Sequence, residues 1–237
     1  MTQKVRIVLP TYNERENLGI LIPRIFEVFD ENNIHGDILV VDDNSPDGTA
    51  DLVESISNYY PIRLLKRDKK MGLGSAYIDG FEKSIEDGVD IIFEMDSDLS
   101  HDPKYIPEFV KKINDGFDVV IGVREKVVGW SLYRKLISWG GNFIGRNLAG
   151  IKIDDLTTGY RAYRKKVLES IDLKKIKSRG YAFQLEMLAR AYSEGFNIGY
   201  VPIIFYDRKK GKSKLSRWSM LEFFTVAFKI RMGLLND

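Results

Sequence analysis

Apolar and polar positions divide this chain into two unlike stretches. The first repeats one theme, a short apolar run followed by a helical stripe. Val5 to Leu9 predicts a strand that Pro10 ends, and residues 14–30 carry Leu18, Leu21, Ile22, Ile25, Phe26 and Phe29 at helical spacing. Asp37 to Val41 is almost continuously apolar, as expected of a strand buried on both faces. Asp47-Gly48-Thr49 opens a helix that runs to about Asn58. Further strands are predicted at Ile62–Lys66, Asp90–Met95 and Phe117–Gly122, with helices at Gly74–Asp87 and Pro103–Asn114. Strands and helices alternating at this length predict right-handed βαβ units. The expected fold is α/β, a mostly parallel central sheet flanked by helices.

Beyond residue 123 the pattern loosens. Residues 131–148 predict a helix that Gly140, Gly141 and Gly145 weaken. Thr158–Arg164 predicts a short strand, Phe183–Glu194 an amphipathic helix, and Ile198–Tyr206 another strand. Arg208–Arg217 reads as a basic loop, and Trp218–Leu235 as a terminal helix rich in aromatics. No internal repeat or low-complexity linker interrupts the chain. Residues 1–237 are therefore expected to form one domain whose two parts do different work.

Composition narrows the chemistry. With 237 residues, 44% hydrophobic, the chain can build a sizeable core. The absence of cysteine excludes disulfides, thiolate zinc sites, iron–sulfur clusters and a cysteine nucleophile. Only two histidines, His35 and His101, exclude a multi-histidine metal centre. The N-terminal residues show no signal-peptide core, and no apolar run approaches the roughly 18 residues of a membrane span. The net charge of +2 hides an asymmetry. Residues 1–123 hold 13 Lys+Arg against 24 Asp+Glu, a net of −11; residues 124–237 hold 23 against 10, a net of +13. A basic half of this kind suits an anionic partner.

In open parallel sheets, ligands bind outside the carboxyl ends of the strands. Here those ends carry Pro10-Thr11-Tyr12-Asn13-Glu14, Asp42-Asp43-Asn44-Ser45 and Asp96-Ser97-Asp98. Each alone could be a cap or a turn. Three together point to a ligand edge. Carboxylates at i and i+2 can turn toward one cation if the chain bends. Mg²⁺ typically takes one or two carboxylates plus substrate phosphates, so Asp-x-Asp suits a metal–diphosphate complex. Asp43 to Glu54 also fits a relaxed EF-hand loop, but a strand signal precedes it where a helix is needed. Gly72-Leu73-Gly74 lacks the third glycine of a dinucleotide fingerprint, since Tyr77 holds that position. His101 reads as a locally bonded turn residue, and Glu186 as a solvated or structural helix charge.

Five stretches, in order along nearly the whole chain, carry a resemblance. They are Pro10 to Glu14, Asp42 to Thr49, Asp96 to His101, Gly180-Tyr181-Ala182-Phe183-Gln184, and Asp207-Arg208-Lys209-Lys210-Gly211-Lys212-Ser213-Lys214. Together they resemble the family 2 glycosyltransferases, and within them the dolichyl-phosphate mannosyltransferases. The last two stretches are the more specific. The resemblance implies a GT-A (Rossmann-like) fold, a GDP-mannose donor, Mg²⁺ or Mn²⁺, and a polyprenyl (dolichyl) phosphate acceptor. By matched position it implies that Pro10, Tyr12 and Glu14 line the guanosine pocket with Val41 and Asp43. Asp96 and Asp98 would hold the metal, and Ser97 would sit against the nucleotide. Ser100 stands where some relatives place a metal-ligating glutamine, a place that water could also fill. Arg208 and Lys214, from a basic lid at 207–217, would close over the diphosphate. Arg124, Arg134 and Ser138 would receive the acceptor phosphate. The setting implied is cytoplasmic and peripheral, on the cytosolic face of a membrane, with residues 218–235 at the interface. Some relatives use small membrane-anchoring subunits. Nucleic acid is not an expected partner, because the acidic half and the lack of base-reading motifs argue against it.

The chemistry fits these residue types. A departing diphosphate needs cations. A phosphate-monoester acceptor, with its second pKa near ~6, is already anionic and needs no strong base. The nearest rivals are a polyprenyl-phosphate transferase that uses a UDP-sugar such as UDP-glucose, and a module that binds a nucleotide sugar without turnover.

Overall fold

The computed structural model describes residues 3–207 and 217–235. Among the described residues the strands are β1 (Val5–Thr11), β2 (Gly36–Asp42), β3 (Ile62–Lys66), β4 (Ile91–Glu94), β5 (Val119–Val128), β6 (Arg161–Arg164) and β7 (Ile198–Tyr206). They form one sheet in the order β3-β2-β1-β4-β6-β5-β7. Every pairing is parallel except those of β6, which runs antiparallel to both β4 and β5. The helices are α1 (Arg15–Glu31), α2 (Thr49–Ile56), α3 (Leu73–Glu86), α4 (Ile106–Asn114), α5 (Leu132–Ala149), α6 (Lys165–Ser170), α7 (Gly180–Ser193) and α8 (Arg217–Arg231).

Why the early strands read as continuous apolar runs is plain from the packing. Successive side chains of a strand face opposite sides. Ile7 and Leu9 enter the core beneath α1 and α4, with Leu18, Ile22 and Phe109; Val8 enters the other core, with Tyr77, Phe81 and Phe183. Ile38 and Val40 divide from Leu39 and Val41 in the same way. Both faces are covered, so most positions are apolar and a polar one needs a buried partner, as Arg6 finds in Asp37 at 2.6 Å.

Three differences from the sequence expectation bear on the site. First, β5 continues past Gly122 to Val128 along β7, after a register shift between Arg124 and Lys126. Its far end is half-exposed and polar, which removed the apolar signal. Second, the strand expected at Thr158–Arg164 shortens to Arg161–Arg164. Because β6 is antiparallel, its start lies at the edge where β4 ends, with Glu94 opposite Arg161. Residues 157–159 are thereby carried to the ligand edge. Third, the glycines do not break α5. Gly140 and Gly141 face open space, and Gly145 lets α5 close on α8, since a Cβ there would lie 2.5 Å from Phe223.

Candidate active site

A cleft of about 1010 Å³ opens along this edge. Non-glycine residues with positive φ mark the turns that build it. Asn13 (62°), Asn44 (57°) and Leu99 (65°) follow β1, β2 and β4 respectively. Asparagine tolerates this conformation; leucine does so rarely, so the bend after Asp98 is held by its surroundings. Asp98 Oδ1 accepts from the Ser100 amide at 3.0 Å, and the Ser97 hydroxyl donates to the Pro10 carbonyl at 2.8 Å. That second bond staples the Asp-x-Asp turn to the end of β1.

Structural carboxylates fix the neighbouring turns. Asp42 is fully buried and accepts from the Thr11 hydroxyl (2.7 Å), the Ser45 hydroxyl (2.6 Å) and the Ser45 amide (2.8 Å). Asp47 accepts from the amides of Thr49 (3.0 Å) and Arg15 (3.2 Å). Burial alone would raise its pKa, but the bonds from Thr49 and Arg15 outweigh it and lower it. The segment from Asp43 to Glu54 thus runs from a strand into α2, which is not the helix–loop–helix of an EF-hand.

Of the residues assigned to the donor, Pro10, Tyr12, Glu14, Asp43, Asp96 and Ser97 line the cleft. Val41 does not. Its side chain is wholly buried in the core, opposite the Cα of Gly80. Asp43 lines the wall, but its carboxylate is bonded to protein: Arg67 at 2.7 Å and the amides of Met71 and Gly72 at 3.0 Å each. Its observed work is to hold the 67–72 loop against the cleft. That loop brings in Lys70, whose ammonium lies 3.7 Å from the Tyr12 ring centroid. Asn17 bonds Glu14 at 2.6 Å. Arg208 and Lys214 lie outside the described residues, as does the lid segment 208–216.

The metal assignment can be weighed on the chain's own groups. Asp96 and Asp98 both reach the cleft wall, whereas Ser100 does not. The Ser100 hydroxyl is buried with no hydrogen-bond partner among the described residues. Those residues contain no group of three His, Cys, Asp or Glu able to cage an ion. Two carboxylates on one bend fit a hard cation that completes its shell with phosphate oxygens and water. His101 lies behind them. It is buried, stacks on Tyr160 at 5.0 Å, and accepts from the Asp96 amide through Nδ1 at 3.3 Å. Burial lowers its pKa against the pull of Asp96 and Asp98, so the ring is a neutral support.

At the basic end, Arg124 and Arg134 converge on Trp130, their guanidinium carbons 5.5 and 4.2 Å from its ring centroid. Neither is a bare cation. Asp155 grips Arg124 through Nε (2.6 Å) and Nη2 (2.7 Å), and Thr157 takes Nη2 at 2.6 Å. Asp207 accepts twice from Arg134 Nη1, at 2.9 and 3.0 Å. These carboxylates fix the direction of both guanidiniums. Ser138 is absent from the main cleft. It lines an adjoining apolar cavity of about 80 Å³ with Arg124, Arg134, Phe223 and Phe224.

Sequence reasoning missed most of the second layer. Glu94, fully buried two residues before Asp96, has its pKa raised to about 7 by burial, which Arg161 only partly offsets. Its carboxylate accepts from the Gln184 amide and from the Tyr163 hydroxyl (3.2 Å). Gln184 stood within a recognised stretch but carried no assigned role. Asp207 likewise opened a recognised stretch without a role of its own, and Asp155 had no signal, because nothing in the sequence tells which carboxylate an arginine will meet. Glu186 is structural rather than solvated, paired with Arg190 at 2.7 Å inside α7.

The profile of "Glycosyl transferase family 2" matches residues 6–172. A polyprenol monophosphomannose synthase of Mycolicibacterium smegmatis is 40% identical over 233 residues, 95% of this chain and 86% of that protein. An undecaprenyl-phosphate mannosyltransferase of Micrococcus luteus is 42% identical over 218 residues, covering 90% and 88%. Among solved structures, glucosyl-3-phosphoglycerate synthase from Mycobacterium tuberculosis superposes with a TM-score of 0.70 over 99% of this chain and 79% of that one, at 18% identity. The same enzyme with Mn²⁺, UDP-glucose and phosphoglyceric acid gives 0.69 over 95% and 80%, at 17% identity. The mostly parallel sheet with its one reversed strand is a GT-A fold. Profile and relatives both extend across the strand ends where the cleft lies, and the chain belongs to glycosyl transferase family 2.

Proposed function

We propose that this chain transfers mannose from GDP-mannose to a polyprenyl phosphate. One observation carries the reading beyond the family. A single cleft runs from the Asp96–Asp98 turn to the Arg124–Arg134 pair, and α5 beside that pair leaves Leu132, Leu136 and Trp139 exposed. Such a layout suits a water-soluble diphosphate donor at one end and an anionic lipid at the other. The relatives named for polyprenol and undecaprenyl phosphate support the same substrates. Among the described residues no helix is long and apolar enough to cross a membrane. The exposed apolar residues of α5 and α8 are the candidate contacts with a bilayer surface, and the proposed setting is a single domain working peripherally on the cytosolic side.

In this reading Pro10, Tyr12 and Glu14 receive the nucleoside, and Asp96 and Asp98 hold Mg²⁺ or Mn²⁺ with the diphosphate. A bound divalent ion supplies charge neutralisation to the leaving diphosphate. Arg208 and Lys214 add cations to the same group. Arg124 and Arg134, held in place by Asp155 and Asp207, orient the acceptor phosphate by charge-assisted bonds. The phosphate attacks the anomeric carbon in a single displacement with inversion, so no protein nucleophile is used. The test is a donor panel with polyprenyl phosphate and Mn²⁺. Turnover of GDP-mannose and none of UDP-glucose is expected; the reverse would make the chain a polyprenyl-phosphate glucosyltransferase. Nucleotide-sugar binding with no turnover of either would reduce it to a binding module. Asp98→Ala should remove metal-dependent transfer while the protein stays folded, and full activity in that variant would sink the metal assignment.

A further inference from the structure

Gln184 is an unusual wall residue. The residue is 3% exposed, yet it lines the cleft. The amide nitrogen is committed to Glu94, while Oε1 is buried with no hydrogen-bond partner among the described residues. Buried polar atoms are nearly always satisfied, and an exception on a cleft wall asks for a ligand or a water. The amide is also held firmly. Glu94 beneath it is bonded by Tyr163 at 3.2 Å, and Arg161 fixes the main-chain carbonyl of Gln184 at 2.7 Å.

The position of Gln184 limits what that ligand group can be. Across the sheet, β2 and β1 carry the Tyr12 end of the cleft, β4 carries Asp96, β6 comes next, and β5 carries Arg124. Gln184 sits at the β4–β6 step, since its partners are Glu94 and Arg161. At Gly159, between them, an added Cβ would lie 3.4 Å from Asp96 Oδ2 and 3.5 Å from Gln184 Nε2. The space beside Gln184 thus falls between the candidate diphosphate site and the candidate acceptor site. A lone amide oxygen only accepts hydrogen bonds. Ionised phosphates have no proton to give it. A sugar hydroxyl has one.

We propose that Gln184 reads the transferred hexose, its Oε1 accepting a hydrogen bond from one ring hydroxyl of the donor sugar beside Asp96. The inference rests on the nucleotide-sugar reading above but not on which sugar it is. Gln184 is in this sense a specificity-determining residue that positions the sugar between Asp96 and Arg124. Gly159, lacking a side chain, keeps the space open.

The experiment compares affinities for GDP-mannose and GDP, both with Mn²⁺, in the wild type and Gln184→Met. Removing the acceptor should weaken GDP-mannose about tenfold and leave GDP unchanged. GDP-mannose analogues each lacking one ring hydroxyl sharpen the result. The wild type should lose about tenfold with one of them, and Gln184→Met should lose nothing further with that analogue. Equal losses in GDP and GDP-mannose, or equal sensitivity of both proteins to every analogue, would overturn the proposal and leave Oε1 to a buried water. If Gln184→Met does not unfold as cooperatively as the wild type, Gln184→Asn, which withdraws the amide by one methylene, is read the same way. Should the wild type bind UDP-glucose instead of GDP-mannose, the donor reading fails, and the ratio of UDP-glucose to UDP still decides Gln184. A wild type that binds neither nucleotide sugar overturns both.

Discussion

The helices α5 and α7 invert one another's chemistry. In α7 every residue from Ala182 to Ala191 is buried, including Gln184, Glu186 and Arg190. In α5, eighteen residues long, only Gly145 and Ala149 are buried, while Leu132, Tyr133, Leu136 and Trp139 are 66–79% exposed. Polar groups are inside one helix and large apolar groups outside the other. The difference shows that burial follows what each helix faces rather than its own hydrophobicity. The wall helix α7 is sealed between α3, α8 and the sheet, and its polar residues answer one another. The rim helix α5 touches the body through α8 and keeps its apolar stripe in water, which on a protein surface marks an interaction site.

The largest expected effect breaks the inside of α7. Glu186→Ala leaves Arg190, 8% exposed, without the carboxylate that takes two of its bonds and also removes the acceptor for Ser178. Breaking a buried ion pair costs roughly 3–5 kcal/mol, and the bond that Arg190 keeps to the Leu235 carbonyl at 2.9 Å puts this loss at the lower end. Urea or thermal unfolding should show that loss. A change below about 0.5 kcal/mol would mean that α7 is not the rigid wall described.

A second effect lies between the helices, at the Arg124–Asp155 pair. Asp155→Asn keeps the shape but removes the charge that meets Arg124, with an expected loss of about 1.5–3 kcal/mol at neutral pH. Burial works to raise the Asp155 pKa, but the Arg124 guanidinium and its bonds outweigh it and hold it below the usual carboxylate range. A depressed folded pKa gives stability that is present above the unfolded value, near ~3.9, and lost as pH falls through the folded one. The gap between wild type and variant should therefore shrink below about pH 4. A gap that stays constant down to pH 3, followed by urea unfolding, would deny the pair its electrostatic role.

The same contrast explains what the sequence could and could not disclose. Strands β1, β2 and β4 were legible because both faces are apolar, and their polar ends were legible because three of them fall at one edge. The resemblance then assigned roles to Asp96, Asp98 and, by matched position outside the quoted stretches, Arg124, all of which the fold brings to a single cleft. Helix periodicity failed where the environment overrides it. The spacing of α7 reads as amphipathic, yet its polar residues find buried partners, Glu186 and Arg190 in each other and Gln184 in Glu94. No periodicity encodes a contact ninety residues away. Val41 and Ser100 carried roles by matched position, and the side chain of each faces the interior instead. Residue 158 reads as strand because Thr158, Tyr160 and Ala162 alternate there with Gly159 and Arg161. Only the antiparallel pairing of β6 shows that this stretch is cleft wall.

The smallest effect tests the outside of α5. Trp139 is 69% exposed and, among the described residues, stacks on Phe143 at 5.7 Å. Replacing it with serine deletes little packing, so folding stability should stay within about 0.5 kcal/mol. If the stripe meets a lipid surface, the indole leaves water on binding, and its loss should weaken partition to vesicles containing anionic lipid by about tenfold. Transfer to vesicle-borne polyprenyl phosphate should fall in parallel. Transfer to a short, water-soluble prenyl phosphate should not change, because Arg124 and Arg134 are untouched. Equal loss on both acceptors would place Trp139 in the site rather than at a membrane. Unchanged vesicle binding, with α8 intact, would shift the interface to Trp218, Leu221 and Phe228, which α8 also exposes.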